Sequence, residues 1–252
     1  MGKRGVLVIA HGSSKRDWVR LVDDAVSLVA LDAPVVASFL ELVPDRSIPV
    51  GIEALKRQGV THLTVVPLFV SSGSTHIEEI GHLLGVKRET RLPMEEEPLE
   101  VGMDVHLCPA MDDHPLIVDI LAERARDLSS NPAEEALVLV GHGSDVAGFY
   151  ERWETGMRSL AGQLQAKLGF RQATYAMTLP DNVRERLLGL ATRYRVLVLP
   201  LFLSEGYFTR VKIPARMQGV QVVYTGQAYL PSPLVSRWIE AVVQEAWASG
   251  RQ

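Results

Sequence analysis

The chain repeats itself. The stretch "VLVIAHGSS" at 6–14 returns as "LVLVGHGSD" at 137–145, which sets His11 and His142 131 positions apart. A second pair, "LTVVPLFVSSG" at 63–73 and "VLVLPLFLSEG" at 196–206, has an offset of 133. A weaker third pair, "PAMDDHPLIVDIL" at 109–121 and "QAYLPSPLVSRWI" at 227–239, has an offset of 118. Three matches in one order, at slowly drifting offset, mean a unit of about half the length written twice. The polar stretch "DLSSNPAEEA" at 127–136 reads as the joint. It divides the chain into an N-terminal lobe, 1–130, and a C-terminal lobe, 131–252, and 252 residues are enough for two such units.

Within each copy, short β-branched runs alternate with amphipathic segments. In the first copy strands are expected near 5–10, 34–40, 62–69 and 101–107, and helices near 15–31, 46–58, 75–86 and 115–128. The second copy predicts strands near 136–141, 171–177, 195–202 and 220–225. Runs such as "VLVLPLFL" are apolar at every position, the pattern of strands covered on both faces. The expected class is α/β, with a doubly wound parallel sheet in each lobe.

Composition narrows the function. With 47% hydrophobic and 22% charged residues the chain reads as globular rather than disordered. A net charge of -4 speaks against nucleic acid as a partner. The lone Cys108 excludes an internal disulfide framework, suits a reducing compartment and is expected to be inert. Neither a secretory h-region nor an apolar run of ~20 residues is present, so no membrane partner and a cytoplasmic location are expected.

Ligands of open α/β sheets bind beyond the carboxyl ends of the strands. "AHGSS" and "GHGSD" follow a first strand, "SSGSTH" follows a third, and Glu41 ends a second in "ASFLEL". His11, Glu41 and His76 thus converge on one rim. Aligned on "PLF", the counterpart of His76 is Thr209; aligned on Pro44 and Pro180, that of Glu41 is Met177. Polar groups present in one copy alone are poorly explained by shared core architecture. Two imidazoles and a carboxylate suit a first-row divalent metal and leave coordination positions open.

Other polar residues have plainer readings. His114, before Pro115 and opposite Ser232, reads as a helix N-cap. Glu78 and Glu79 suit the start of a helix by its dipole, although Glu79 shares a face with His76. His62 and His82 read as surface or strand-end residues, His106 has no matching partner, and "MEEEP" at 94–98 reads as a solvated loop. In "YFTRVKIPARM", Arg210, Lys212 and Arg216 with Tyr207 and Phe208 form either a charged helix face or a platform for an anionic, flat substrate.

"VLVIAHGSS", "FLELVPDRSIPVGIEAL", "LTVVPLFVSSGSTHIEEI" and "LCPAMDDHPLIVDIL", in this order and spacing, resemble the sirohydrochlorin chelatases in their long, duplicated form. The resemblance spans nearly the whole chain. It implies a class II chelatase fold of two similar lobes with the macrocycle in a cleft between them. It also implies a lyase that inserts Co2+ or Fe2+ into sirohydrochlorin for cobalamin or sirohaem synthesis. Carried over residue by residue, the metal-binding and catalytic positions are His11, His76 and Glu41. The family often has two glycines before the second histidine, where this chain has "GSTH". Ser13, Ser72, His142, Arg210 and Lys212 are the candidates for holding the tetrapyrrole. No permanently bound cofactor is expected, since the divalent metal (Co2+, Fe2+ or Ni2+) is itself a substrate, and the protein is expected to act as a monomer or homodimer.

Two other classes compete. A metal or tetrapyrrole carrier would carry the same residues without turnover. "HGS" after a strand also resembles histidine phosphatases, but those have an arginine directly before the histidine; here Ala10 stands there, and Arg16 is already in the next helix. Dinucleotide binding lacks its G-x-G-x-x-G.

Overall fold

The apolar runs become strands with no wet face. In the computed structural model, which describes residues 2–87 and 89–249, β1 (Arg4–Ala10) buries Val6, Leu7, Val8, Ile9 and Ala10 completely. A helix follows, α1 (Arg16–Ser27), then β2 (Val35–Phe39), α2 (Ile48–Arg57), β3 (His62–Pro67), α3 (Thr75–Leu83), β4 (Asp104–Leu107) and α4 (Pro115–Leu128). The second copy repeats the sequence of elements: β5 (Glu135–Gly143), α5 (Phe149–Leu168), β6 (Gln172–Leu179), α6 (Val183–Ala191) and β7 (Arg195–Pro200). It ends with a π-helical turn at Phe208–Lys212, then α7 (Ile213–Met217), β8 (Val222–Val223) and α8 (Pro233–Ser249).

The strands form two separate four-stranded sheets, ordered β2-β1-β3-β4 and β6-β5-β7-β8, and every pairing in both is parallel. The expected α/β class and doubly wound arrangement hold in each copy. In both sheets the order reverses at the first strand, so the crevice that such sheets offer to ligands opens at the carboxyl ends of β1 and β3, or of β5 and β7. The edge strands depart most from expectation. β4 is confined to Asp104–Leu107 with Asp104 and His106 exposed, and β8 to Val222–Val223. Each pairs on one side only, so the apolar pattern is not backed by a second ladder.

The compact units are not the contiguous halves of the repeat. One comprises the chain through Phe69, Thr75–Ala110 and the chain from Val235 on; the other comprises Val70–Ser74 and Met111–Leu234. The terminal helices are therefore exchanged: α4 counts with the second sheet, and nearly all of α8 with the first. In the first unit Ser236 donates to the Ala25 carbonyl (2.7 Å), Trp247 Nε1 donates to Thr64 Oγ1 (2.9 Å), and the Cys108 thiol faces the Val242 carbonyl at 3.8 Å. In the second, Asp119 of α4 pairs with Lys167 of α5 at 2.9 Å. Among the described residues no helix is long and apolar enough to cross a membrane.

Candidate functional site

The turn after β1 explains the glycine of the repeated phrase. Gly12 sits at φ +106°, and a Cβ there would run into the carbonyl of Glu41. Gly143, at φ +80°, has the same relation to the carbonyl of Leu179. Only glycine accepts both the left-handed backbone and the close approach. Each histidine just before it points its Nδ1 at the glycine carbonyl, at 3.2 Å for His11 and 3.1 Å for His142. A carbonyl only accepts, so Nδ1 carries the hydrogen, and in the neutral tautomer Nε2 is the atom with a lone pair to offer.

In the first unit that lone pair has company. His11 Nε2 lies 3.4 Å from Glu41 Oε1, and the His11 and His76 rings meet edge to face with centroids 4.7 Å apart. His76 Nδ1 lies 3.1 Å from Glu79 Oε2, an acceptor that places a ring hydrogen on Nδ1, so that in the neutral tautomer Nε2 is the atom available to a metal. Phe69 flanks the His76 ring at 5.8 Å. His11 and Glu41 remain open to solvent, their side chains 38% and 53% exposed. Two ligand atoms about 2.1 Å from one tetrahedral ion stand about 3.4 Å apart, which is the His11–Glu41 spacing. Among the described residues no three acidic, histidine or cysteine groups form a ready-made metal cage. The site is a half-open rim, with His11 touching both Glu41 and His76.

The second unit keeps the scaffold and loses the donors. Its strand register pairs Gly141 with Met177 and Gly143 with Leu179, as Ala10 pairs with Phe39 in the first. The position matching Glu41 is therefore Leu179, not Met177; the copies turn at different distances after the strand, so the two prolines are not equivalent. Likewise the ring facing His142 is Phe208, at 5.0 Å and stacked on Phe202, while Thr209 is buried and accepts from the Gly206 N–H. The second loop is one residue shorter, which the alignment on "PLF" did not register. Leucine and phenylalanine cannot ligate, so the asymmetry between copies stands with corrected partners.

A single family model, CbiX, matches the chain twice, over residues 5–128 and 136–246. The chain belongs to the CbiX family. Among its relatives, a protein named sirohydrochlorin ferrochelatase from Priestia megaterium is 30% identical over 216 residues, covering 80% of this chain and 73% of that one. A sirohydrochlorin cobaltochelatase from Methanococcoides burtonii is 28% identical over 137 residues, half of this chain and 97% of its own. In fold, the chain matches SirB from Bacillus subtilis with Fe3+ at a TM-score of 0.77 and 20% identity, covering 99% of this chain and 98% of the other.

The remaining candidates in this CbiX protein are placed as follows. Ser13 Oγ accepts from the Lys15 N–H in the loop after His11 (3.1 Å). Ser72 donates both its backbone N–H (2.8 Å) and its hydroxyl (3.2 Å) to Asp112. Arg210 is shared with Glu205 at 3.0 Å, Arg216 with Asp181 at 2.7 Å, and the Lys212 ammonium lies 5.5 Å over the Tyr207 ring. Tyr207 is 58% exposed beside them. His114 accepts from the Leu116 N–H and caps α4; Ser232 accepts from the Leu234 N–H at the same place before α8. Glu78 is buried and holds Lys87 and the Arg91 and Leu92 N–H groups; burial would raise its carboxyl, but these bonds outweigh it and the pKa is lowered. Burial pushes the Cys108 thiol up to about 12, with the nearby Glu245 charge adding to it. Sequence reasoning missed Asp112, although it stands opposite the apolar Leu230 in the repeat.

Proposed function

We propose that this CbiX protein inserts a divalent first-row metal, Co2+ or Fe2+, into sirohydrochlorin, with His11, Glu41 and His76 as the working groups. The observation that carries the reading is the pair of imidazoles whose Nδ1 positions face Gly12 O and Glu79 while the Glu41 carboxylate faces the Nε2 of His11. The matching relatives are named as chelatases for this macrocycle.

Insertion exchanges an aquo ion and a free-base ring for a metal complex, two protons and released water. Neutral imidazoles hold the ion through Nε2 without binding it so tightly that the ring nitrogens cannot take it over. The Nδ1 contacts keep both rings in the required tautomer and orientation. Glu41, half-exposed beside His11, accepts a pyrrole proton and hands it to solvent. Within the second unit, Lys212 over the Tyr207 ring and Arg210 on Glu205 offer cations and an exposed aromatic face to a flat, anionic ligand; for Arg210 this means exchanging Glu205 for it. A cytoplasmic setting and action as monomer or homodimer belong to the same reading.

The test is anaerobic mixing of protein, sirohydrochlorin and Co2+ or Fe2+, following the absorbance of the metallated product against a protein-free control. Many turnovers per protein are expected. Binding that saturates at one equivalent without turnover makes the protein a carrier, and no spectral change with either metal overturns the reading.

A further inference from the structure

Where β5 and β7 begin, at the end of the second sheet away from His142, the fold opens a cavity of about 530 Å³ whose walls carry Arg171, Arg193 and Arg195. Sites for small molecules run from about 300 to 1,000 Å³. The three guanidinium groups are not equivalent. Arg195 is tied to the buried Glu135 and to the Leu128 carbonyl (3.1 Å), and Glu135 is further held by Ser129, Ser130 and the Asn131 N–H. Arg171 and Arg193 are exposed, and among the described residues neither has a carboxylate partner; Arg193 lies 5.6 Å over the Tyr194 ring. Three arginines face two glutamates, Glu134 and Glu135, so the walls keep a surplus of positive charge. The first copy has no such cations. By strand register Ala33 stands where Arg171 does, and Val60, which is buried in the first core, stands where Arg193 does. The shared scaffold therefore does not require these two arginines.

We propose that this cavity is a further ligand site of the second unit, which takes a small polyvalent oxyanion, phosphate- or carboxylate-bearing, gripped by Arg171 and Arg193. A guanidinium offers paired N–H donors at the spacing of two oxygens on one phosphate or carboxylate group, and it stays charged at any working pH. Arg195, fixed on Glu135, adds to the field at the cavity wall without having to leave its partner. The strands offer substrate their carboxyl ends, so a ligand at their amino ends is a different molecule from the one that meets Tyr207 and Lys212 in the same unit.

Titrating the full-length, metal-free protein with pyrophosphate and, separately, with citrate at constant ionic strength tests it, read by calorimetry and by the thermal midpoint. Saturable binding with a rising midpoint is expected. Pyrophosphate alone would mark a phosphate ligand, citrate alone a polycarboxylate, and both an oxyanion of either kind; each supports the proposal, and saturable binding of neither overturns it. Arg171→Ala with Arg193→Ala is expected to weaken binding at least about 10-fold. Arg210→Ala with Lys212→Ala removes the same charge from the same unit and is expected to cost less than about twofold. Equal losses from the two pairs, or a loss confined to the second, overturn the proposal. Where the alanine pair does not fold, Arg171→Lys with Arg193→Lys keeps the charge and loses the fork, and is expected to weaken binding about threefold or more; unchanged affinity overturns the proposal.

Discussion

His11 and His142 make the same bond to the glycine that follows them, and differ in what stands beside the ring: Glu41 and His76 for one, Phe208 for the other. Chemistry is therefore expected to separate them. His11→Ala and His76→Ala should abolish sirohydrochlorin metallation, while His142→Ala should change the rate only a few-fold; equal losses from all three would refute this division of labour between the copies. Glu79→Ala leaves the His76 Nδ1 without its acceptor and is expected to lower Co2+ affinity about 10- to 100-fold, less than removing His76 itself. Cys108, with its thiol raised to about 12 by burial, should resist iodoacetamide in the folded protein at pH 8 and react once denatured. The candidate ligands were legible in the sequence because strand ends are legible and the fold sends them to one rim. Their orientation was not, because it depends on acceptors such as Gly12 O and Glu79, whose positions only the folded chain fixes.

The central strands could be read from sequence because burial on both faces removes the alternation that would make them ambiguous. Edges were less legible, since β4 and β8 are supported from one side. Elements also hide buried charges that no periodicity announces. Glu135 opens β5 and gathers Ser129, Ser130, the Asn131 N–H and Arg195, sealing the joint between the copies. Burial acts to raise its carboxyl, but those hydrogen bonds prevail and hold it down to about 2. A carboxyl lowered in the folded state stabilises above its unfolded pKa and loses that contribution as pH falls toward the folded one. The contribution, on the order of 3 kcal/mol, should be complete at pH 7 and fade between about pH 4.5 and pH 2. Glu135→Gln is then expected to lower the urea midpoint at pH 7 and to converge with the wild type near pH 2, as read by denaturation at a series of pH values.

For the whole molecule, the exchange of α4 and α8 means that neither half of the repeat carries all of its own core. Trp238, Ile239, Val242 and Val243 of α8 are buried, and they count with a sheet more than a hundred residues earlier in the chain. Residues 1–130 expressed alone are expected to lack a cooperative thermal transition, and truncation before Val235 should unfold the unit holding His11 and His76; a sharp transition in the first, or wild-type Co2+ binding by the second, would show that α8 is dispensable. The sequence alone determined the duplication, the α/β class, the parallel strands and which copy carries the candidate ligands, because these follow from local periodicity and from comparing one half with the other. Which residues are equivalent across the copies, which sheet each terminal helix covers and what holds each imidazole were decided by tertiary structure. They depend on strand register and on packing between segments far apart in sequence, which no local pattern encodes.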